Sequence, residues 1–278
     1  MTERINEKKA VVCSSGDKLD ISEIKKRLCE DIEVVLYPII DSTNTEAKRL
    51  AESGHNGKVL ILAEAQSGGR GRMGRSFFSP VGTGLYMTLL FPTPKEADAM
   101  LRITSMAAVA LKRSILRVYG IETEIKWVND IYLGGAKVAG ILAESFNGEC
   151  DGKSFRAIAV GMGVNISTDS FPEELKAVAV SLGKKGGRNA LASEITKEFF
   201  LLLDEARCGS FSYMDEYRRA SLCLGREIRF TKNGVSERGI ADSIDDMGFL
   251  HVSLANGEKK ILSSGEISVR LERRGEDT

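Results

Sequence analysis

Residues 58–91 read KVLILAEAQSGGRGRMGRSFFSPVGTGLYMTLLF. The first eight residues, KVLILAEA, and the last eight, GLYMTLLF, are apolar runs typical of buried strands. Between them lies a loop in which Arg70, Arg72 and Arg75 stand among glycines. A glycine backbone approaches a ligand closely and exposes its N–H groups, and guanidinium groups bind carboxylates and phosphates through paired hydrogen bonds. The stretch therefore predicts two core strands that carry a binding loop for an anionic ligand.

Two other interpretations of residues 66–76, here called the arginine loop, are a solvated basic surface loop and an RGG-like segment that binds RNA. The position of the loop between two apolar strands and its single occurrence favour the ligand loop. The chain has 39 basic and 39 acidic residues and 6% aromatic residues, which disfavours a dedicated nucleic-acid binder. The Walker order G-x-x-x-x-G-K-[ST] is missing, so the loop is not a P-loop.

Strand and helix patterns alternate along the rest of the first 220 residues. After DSTN at 41–44, a helical pattern runs over 44–53; Thr43 and Glu46 fit a capping box, and Gly54 fits a C-terminal stop. The other predicted elements are a short amphipathic helix at 20–28, strands at 32–40, 123–127, 137–146 and 155–166, a helix at 96–120, and mostly helix over 190–219 with a break near Gly209.

From Leu222 onward the sequence changes character. Short β-type runs (REIRF, GIADSI, FLHVSL, KKILS and ISVRL) alternate with turn signals such as Asn233-Gly234 and Asn256-Gly257. Five short strands in about 50 residues predict a small barrel. We therefore expect three parts: an N-terminal extension with a short helix (1–31), a larger domain of alternating strands and helices (32–221) and a C-terminal barrel (222–273).

Composition narrows the class of protein. Five cysteines are widely spaced and form no C-x-x-C pair, which disfavours a disulfide framework or a structural zinc site. The two histidines, His55 and His251, lie outside any hydrolase-like motif, so we expect them to be surface or loop residues. No apolar run approaches the ~20 residues of a membrane span, and the charged N-terminus lacks the features of a secretory signal. We expect a cytoplasmic protein without a protein-bound metal site.

Three further segments carry polar residues in otherwise apolar surroundings. KWVNDIYL at 126–133 and KVAGIL at 137–142 flank a Gly134-Gly135 tip and predict a hairpin, in which Lys137 needs a partner or an exit to water. GMGVNI at 161–166 has glycines that allow a ligand or a neighbouring element to come close. Taken one by one, these segments also fit ordinary turn residues, packing glycines and, for DSTN, a helix N-cap.

The four segments in this order resemble the catalytic region of biotin–protein ligases: DSTN, then GGRGRMGR, then KWVNDIYL with KVAGIL, then GMGVNI. GEISVR at 265–270 is similar to the end of the family's C-terminal domain. The resemblance implies an α/β (α+β) fold, with a catalytic domain of the class II aminoacyl-tRNA synthetase type on a mixed sheet, followed by an SH3-like barrel. Two positions depart from the family pattern: Phe77 stands where Trp is frequent, and Val128 stands where KWPND has proline.

The resemblance also implies residue roles in forming biotinyl-5′-AMP from biotin and ATP and in transferring biotin to a carrier lysine. The residues expected to bind biotin are Ser42, Thr43, Asn44, Gln66, Arg70, Gly71, Arg72 and Lys137. Those expected at the nucleotide are Arg72, Phe77, Lys126, Asn129 and Asn165. Those expected to take part in catalysis are Arg72, Lys126, Asp130 and Lys137. Mg²⁺ is expected to enter with ATP.

The implied partner is the biotin carboxyl carrier domain of a carboxylase or decarboxylase; homodimer formation is left open, and neither DNA nor a membrane is expected. About 30 residues precede the first predicted strand, too few for the winged helix of the repressor-type members, so we expect the monofunctional form. The nearest alternative is a lipoate–protein ligase, which shares the fold and the adenylation chemistry. An alternative from another class is an RNA-binding module.

Overall fold

A computed structural model of the chain describes residues 17–28, 31–93, 100–232, 235–263 and 270–271. Its main feature is a seven-stranded sheet in the order β1-β2-β3-β7-β6-β5-β4. β1 and β2 pair in parallel and the other neighbours are antiparallel, so the sheet is mixed, as expected. The strands are β1 Ile32–Tyr37, β2 Lys58–Ala63, β3 Gly84–Thr93, β4 Glu124–Lys126, β5 Asp130–Leu133, β6 Ala136–Cys150 and β7 Lys153–Asn165.

Helices cover both faces of this sheet. α2 packs on one face, where Ala47 and Ala51 meet β2 residues Val59 and Ile61. On the other face Leu60 joins the large core formed with the two long helices, α3 and α5. β2 is therefore buried on both sides, which explains its unbroken apolar run. The helices are α1 Ile21–Lys25, α2 Thr43–Glu52, α3 Met100–Tyr119, α4 Glu173–Lys176, α5 Arg188–Arg207 and α6 Tyr213–Arg219.

A second, antiparallel sheet of five short strands follows α6, in the order β11-β10-β9-β8-β12. It shares the large core: Phe230, Leu250 and Val252 are buried in the same cluster as α3. The predicted turn at Asn233-Gly234 and most of GEISVR lie outside the described residues. The domain boundary near Ser221 stays a prediction. The strands are β8 Glu227–Lys232, β9 Val235–Ile244, β10 Leu250–Leu254, β11 Lys259–Leu262 and β12 Arg270–Leu271.

The turn between β9 and β10 fastens the second sheet to the first. Asp245 accepts hydrogen bonds from the backbone N–H groups of Met247 and Phe249, and its carboxylate lies 3.0 Å from Nε2 of His251. Burial alone raises the pKa of Asp245, but the bonds from His251 and the two backbone N–H groups outweigh it and hold that pKa below the usual 3.8. The turn also reaches the connection between β4 and β5 of the seven-stranded sheet, because Trp127 Nε1 donates to the carbonyl of Gly248 at 3.0 Å.

Some local expectations differ from the structure. β1 ends at Tyr37 rather than at residue 40, and β6 and β7 extend beyond 146 and start before 155, forming one long hairpin closed at Asp151-Gly152. The expected helix at 96–120 is described from Met100. The hairpin expected around Gly134-Gly135 is formed by β5 and β6, whereas α4 was not predicted as a separate element.

The expected capping box at α2 is wrong. The N-cap is Ser42, which makes no side-chain cap bond, and Glu46 instead accepts from the hydroxyl of Tyr37 and from Arg49. The N–H of Thr43, at the start of the helix, donates instead to Oε1 of Gln66, 23 residues away, at 2.8 Å. A tertiary contact has thus replaced the local one, because Gln66 supplies the acceptor that a helix N-terminus needs.

The short N-terminal helix α1 is present as expected. Asp20 caps it by accepting from the N–H groups of Ser22 and Glu23. Arg188 at the start of α5 is buried and pairs with Asp17 and with Glu64, which immediately follows β2. Through Arg188, the N-terminal segment that carries α1 is therefore joined to the end of β2, the strand that leads into the arginine loop. No helix within the described ranges is long and apolar enough to cross a membrane.

Candidate active site

An open cleft lies over the middle of the mixed sheet, between α2, the arginine loop and the β5–β6 hairpin. Its empty volume, including the solvent at its mouth, is about 440 Å³. Its lining mixes polar side chains with glycine backbone and apolar side chains, which suits a ligand with both polar and alkyl parts. The lining residues are Ser42, Thr43, Asn44, Gln66, Arg70, Gly71, Arg72, Phe77, Met87, Asn129, Lys137, Gly140, Ile141, Leu142, Gly161, Met162 and Gly163.

One wall of the cleft is a chain of hydrogen bonds between buried polar side chains. Gln66 accepts from the N–H and the hydroxyl of Thr43 and donates to Ser79 at 3.0 Å. The hydroxyl of Thr88 lies 2.8 Å from both Thr43 Oγ1 and Asn44 Oδ1. Because each member is held by its neighbours, the wall is fixed before any ligand arrives.

The floor of the cleft is built from glycines of β7. Gly161 pairs with Thr88 on β3 and Leu142 on β6, and Asn44 lies across it, bonded to both of these residues. A Cβ on Gly161 would lie 1.9 Å from Asn44 Oδ1. The sequence left open whether the glycines of this segment admit a ligand or a neighbouring element. At Gly161 they admit a neighbouring element, since Asn44 belongs to α2.

The same arrangement repeats two residues further along β7. A Cβ on Gly163 would lie 2.5 Å from the ring of Phe77, which rests on the strand there. The ring also makes an edge contact with Tyr86, with centroids 6.4 Å apart. Gly140 on β6 leaves room for the end of the Lys137 side chain, whose Nζ would lie 2.9 Å from a Cβ at that position. Gly161 and Gly163 allow side chains from α2 and from the segment after the arginine loop to lie against the sheet.

The arginine loop is held by backbone hydrogen bonds and by its side chains. Gly71 N–H donates to the carbonyl of Arg75 at 2.7 Å, and Phe77 N–H donates to Gly69 O at 2.9 Å. A single 3₁₀ turn, Arg72–Gly74, forms the tip. The loop therefore has a defined path over the cleft.

Both arginines that line the cleft are bound to groups outside the loop. Arg70 forms a two-bond ion pair with Glu144 on β6, at 2.8 and 3.0 Å. Arg72 donates to Asn129 Oδ1 at 3.0 Å. Burial lowers the pKa of Arg72, and the negative charge of Asp130 opposes that effect. A guanidinium stays protonated in proteins, so Arg72 brings a full positive charge into a half-buried position.

The KWVND segment is fixed from several sides. The side chain of Asn129 donates to Ile141 O at 2.8 Å, and its backbone carbonyl accepts from Ile141 N–H at 2.9 Å. The hydroxyl of Tyr217, on α6, donates to the carbonyl of Val128 at 2.9 Å, and the Trp127–Val128 peptide bond is cis. Full burial raises the pKa of Tyr217, so this hydroxyl remains a donor. Asn129 is thereby presented to the arginine loop.

The two lysines of the hairpin have partners. Lys137 Nζ lies 2.7 Å from Asp130 Oδ1, which supplies the partner that a lysine in this apolar strand was expected to need. Lys126 Nζ lies 3.1 Å from the hydroxyl of Tyr132 and over its ring. Lys126 is thus turned along the hairpin, beside the cleft rather than in its lining.

Comparison with known proteins identifies the family. The model described as "Biotin/lipoate A/B protein ligase family" matches residues 36–165, and "Biotin protein ligase C terminal domain" matches residues 223–270. The bifunctional ligase/repressor BirA of Bacillus spizizenii is 30% identical over 260 residues, which cover 89% of this chain and 78% of that protein. The chain belongs to the biotin–protein ligase family.

Other members of the family agree in sequence and in fold. The biotin–[acetyl-CoA-carboxylase] ligase of Paracoccus denitrificans is 34% identical over 221 residues, covering 76% of this chain and 90% of that one. A solved biotin protein ligase from Aquifex aeolicus, in complex with biotin and ATP, superposes with a TM-score of 0.74 at 25% identity, covering 86% of this chain and 99% of that chain. The expected catalytic fold with an SH3-like C-terminal domain is confirmed.

Most residues that the sequence singled out for this family come together in the cleft. Three do not line it: Lys126, Asp130 and Asn165. Asp130 reaches the cleft through Lys137, and the amide of Asn165 donates to Val180 O at 3.3 Å. The predicted residues that line the cleft are Ser42, Thr43, Asn44, Gln66, Arg70, Gly71, Arg72, Phe77, Asn129 and Lys137. Their roles toward biotin and ATP stay predictions.

Sequence reasoning missed several residues that hold the site together. Thr88 stands in the apolar run GLYMTLLF, and Glu144 follows the apolar stretch AGILA. Each is a polar residue inside an otherwise buried strand, which was a usable signal, because such groups need partners. Tyr217 gave no signal, since an aromatic residue in a helical pattern is ordinarily core.

Proposed function

We propose that this protein is an ATP-dependent biotin–protein ligase that forms biotinyl-5′-AMP and transfers the biotinyl group to a lysine of a biotin carboxyl carrier protein. The observation that carries the proposal is the convergence of four separate sequence segments on one cleft in a chain of this family. The carrier is proposed to belong to a carboxylase, as the name of the Paracoccus relative indicates for that protein, or to a decarboxylase.

Biotin is proposed to bind along the hydrogen-bonded wall. Its ring system has a polar edge, which Ser42, Thr43, Asn44 and Gln66 can meet with hydroxyl and amide groups. Leu142 and the glycine backbone of β7 offer an apolar track for the alkyl chain. The carboxylate at the end of that chain then points toward the arginines and Lys137, which are the cations of the lining.

In the first step, an oxygen of the biotin carboxylate attacks the α-phosphorus of ATP, and the bond from that phosphorus to the pyrophosphate oxygen breaks. The protein supplies no nucleophile. Arg72 and Lys137 carry positive charge to the point where two anions must meet, and a buried cation stabilises such a transition state strongly. The arginine loop covers the mixed anhydride and limits its hydrolysis by water.

The nucleotide is proposed to lie toward Phe77 and Asn129, with the ring of Phe77 offering a flat apolar face. Lys126 and Asn165 can contribute only if the nucleotide extends past the residues that line the cleft. Mg²⁺ would enter with ATP. Asp130, next to the lining, is a carboxylate that would help hold the ion together with the phosphates.

In the second step, the carrier lysine attacks the carbonyl carbon of the adenylate and AMP leaves. The amine must be neutral, and its reference pKa is about 10.4. Asp130 is proposed to orient the incoming ammonium or accept its proton. In the ligand-free chain its carboxylate is paired with Lys137, so this role requires Lys137 to move toward the adenylate.

The proposal is tested by incubating the protein with biotin, ATP and Mg²⁺, then measuring pyrophosphate release and biotin transfer to an added carboxyl carrier domain. A carrier with its acceptor lysine changed to arginine is the control for transfer. Excess lipoate as competitor tests the alternative acyl substrate. Pyrophosphate release that depends on lipoate and not on biotin, or no release at all, would overturn the proposal.

A further inference from the structure

One carboxylate, that of Glu144 on β6, joins the arginine loop to the wall of the cleft. Its two oxygens accept from both terminal nitrogens of Arg70, at 2.8 and 3.0 Å. The oxygen Oε2 also accepts from the side-chain amide of Asn44, at 2.9 Å. The carboxylate is about one-fifth exposed and the guanidinium a little less than half exposed. A single acid therefore touches two groups expected to bind biotin.

The position of this pair determines what it can do. Arg70 lies in the loop, whereas Glu144 lies on the rigid β6–β7 hairpin, 74 residues further along the chain. Arg72 in the same loop is bound to Asn129, and the base of the loop is held by Gln66 on Thr43 and by the N–H of Gly68 on Asp41 O. Among these contacts the pair of Arg70 and Glu144 joins two full charges through two bonds, the stronger kind of contact.

We infer that Glu144 is a positioning residue that latches the arginine loop over the cleft through Arg70 and so slows escape of the adenylate. The inference rests on the proposed function, since the retained molecule is the product of the first step. Opening the loop must break both bonds of the pair. The same carboxylate keeps Asn44 turned along the wall, so the closed loop and the ordered wall occur together.

The substitution Glu144→Gln weakens the contact with Arg70 and keeps the contact with Asn44. Its amide oxygen, in the position of Oε2, can still accept from Asn44 and from one terminal nitrogen of Arg70. The negative charge and the second bond from Arg70 are lost, because an amide nitrogen cannot accept. Half-exposed pairs are modest in strength, so we expect escape of biotinyl-AMP into solution to rise about three- to ten-fold. The rate of pyrophosphate release in the first turnover should change less than the rate of escape.

A second readout does not depend on ligand. Trypsin cleaves after arginine, and the loop offers Arg70, Arg72 and Arg75 as sites. Cleavage within the loop of the ligand-free protein should be about three- to ten-fold faster for Glu144→Gln than for the wild type, because a freed loop spends more time open. If the wild type forms no adenylate, the proposed function fails, and the trypsin rates still decide whether the latch exists.

Two comparisons separate a latch from a general loss of structure. Glu194→Gln removes an acid from another half-exposed arginine, Arg117, on the helical side of the protein, and should leave cleavage and escape at wild-type values. In an Arg70→Gln background, adding Glu144→Gln should change neither readout. Unchanged cleavage in Glu144→Gln, or a further increase in the double variant, would overturn the inference. Should Glu144→Gln unfold, Glu144→Asp, which is too short to reach both partners, replaces it with the same expectations.

Discussion

Replacing Gly161 by alanine should disrupt the wall of the cleft. The added methyl group would lie 1.9 Å from Asn44 Oδ1, far inside van der Waals contact. Gly161 is part of the central strand β7 and is hydrogen-bonded on both sides, so the strand cannot retreat. Asn44 is buried at 3% exposure and has to rotate away instead.

The cost follows from the bonds that Asn44 would lose. Its amide nitrogen donates to Leu142 O and to Glu144, and its oxygen accepts from Thr88. At about 0.5–1.5 kcal/mol for each of these three buried bonds, the loss is about 1.5–4.5 kcal/mol of unfolding free energy. Since Asn44 lines the cleft, biotin affinity should fall at least about ten-fold, which corresponds to about 1.4 kcal/mol.

Urea unfolding and isothermal titration with biotin measure the two effects. Gly68→Ala is the matched control, because a methyl group there meets only Asp41 O, at an ordinary 3.5 Å. That control should be neutral or slightly stabilising, by up to about 1 kcal/mol. If Gly161→Ala unfolds within 0.5 kcal/mol of the wild type, on the order of measurement error for such changes, the close approach of Asn44 has no energetic consequence and the reasoning is refuted.

Three further substitutions test other parts of the site. Lys137→Ala should lower the initial rate of pyrophosphate release by about 10²- to 10³-fold, and a near-normal rate would remove Lys137 from the mechanism. Tyr217→Phe leaves a buried carbonyl without its donor and should cost about 1–3 kcal/mol in urea unfolding, more than Tyr213→Phe, whose lost bond is 3.5 Å long. Because its pKa is depressed in the folded protein, ionised Asp245 stabilises the fold above pH 3.8, and this contribution is lost as the pH falls through the folded-state pKa. The difference in unfolding free energy between the wild type and Asp245→Asn should therefore become smaller in acid. A difference that does not change with pH contradicts this.

The pattern of apolar residues in the sequence predicted most of the helices and strands. KVLILAEA predicted a buried strand, and the structure buries it on both faces, with Leu60 in one core and Ile61 in the other. The expected capping box at Thr43 failed for a physical reason. Local pattern rules assume that a helix start is satisfied by neighbours in sequence, whereas here Gln66, at the start of the arginine loop, supplies the acceptor.

The candidate site could be predicted only in part from the sequence. Arg72 and Lys137 were recognisable as cations in glycine-rich or apolar surroundings. Their partners, Asn129 and Asp130, were also singled out, but the sequence did not say which cation pairs with which group. Glu144 lies 74 residues from Arg70, and no local spacing rule joins them. Pairings of this kind depend on strand register, which the sequence alone leaves open.

These pairings determine how much positive charge the cleft presents. Of the cations that line it, Arg70 and Lys137 are neutralised by Glu144 and Asp130, and only Arg72 has a neutral partner. One net positive charge is too little for the triphosphate of ATP next to a carboxylate. The remaining charge must come with the nucleotide, so ATP should bind at least about ten-fold more tightly with Mg²⁺ than with a chelator, and adenylate formation should stop in the chelator. Isothermal titration with and without Mg²⁺ measures the first effect. Equal ATP affinity in both conditions would mean that the two ion pairs open on binding and that the chain supplies the charge itself.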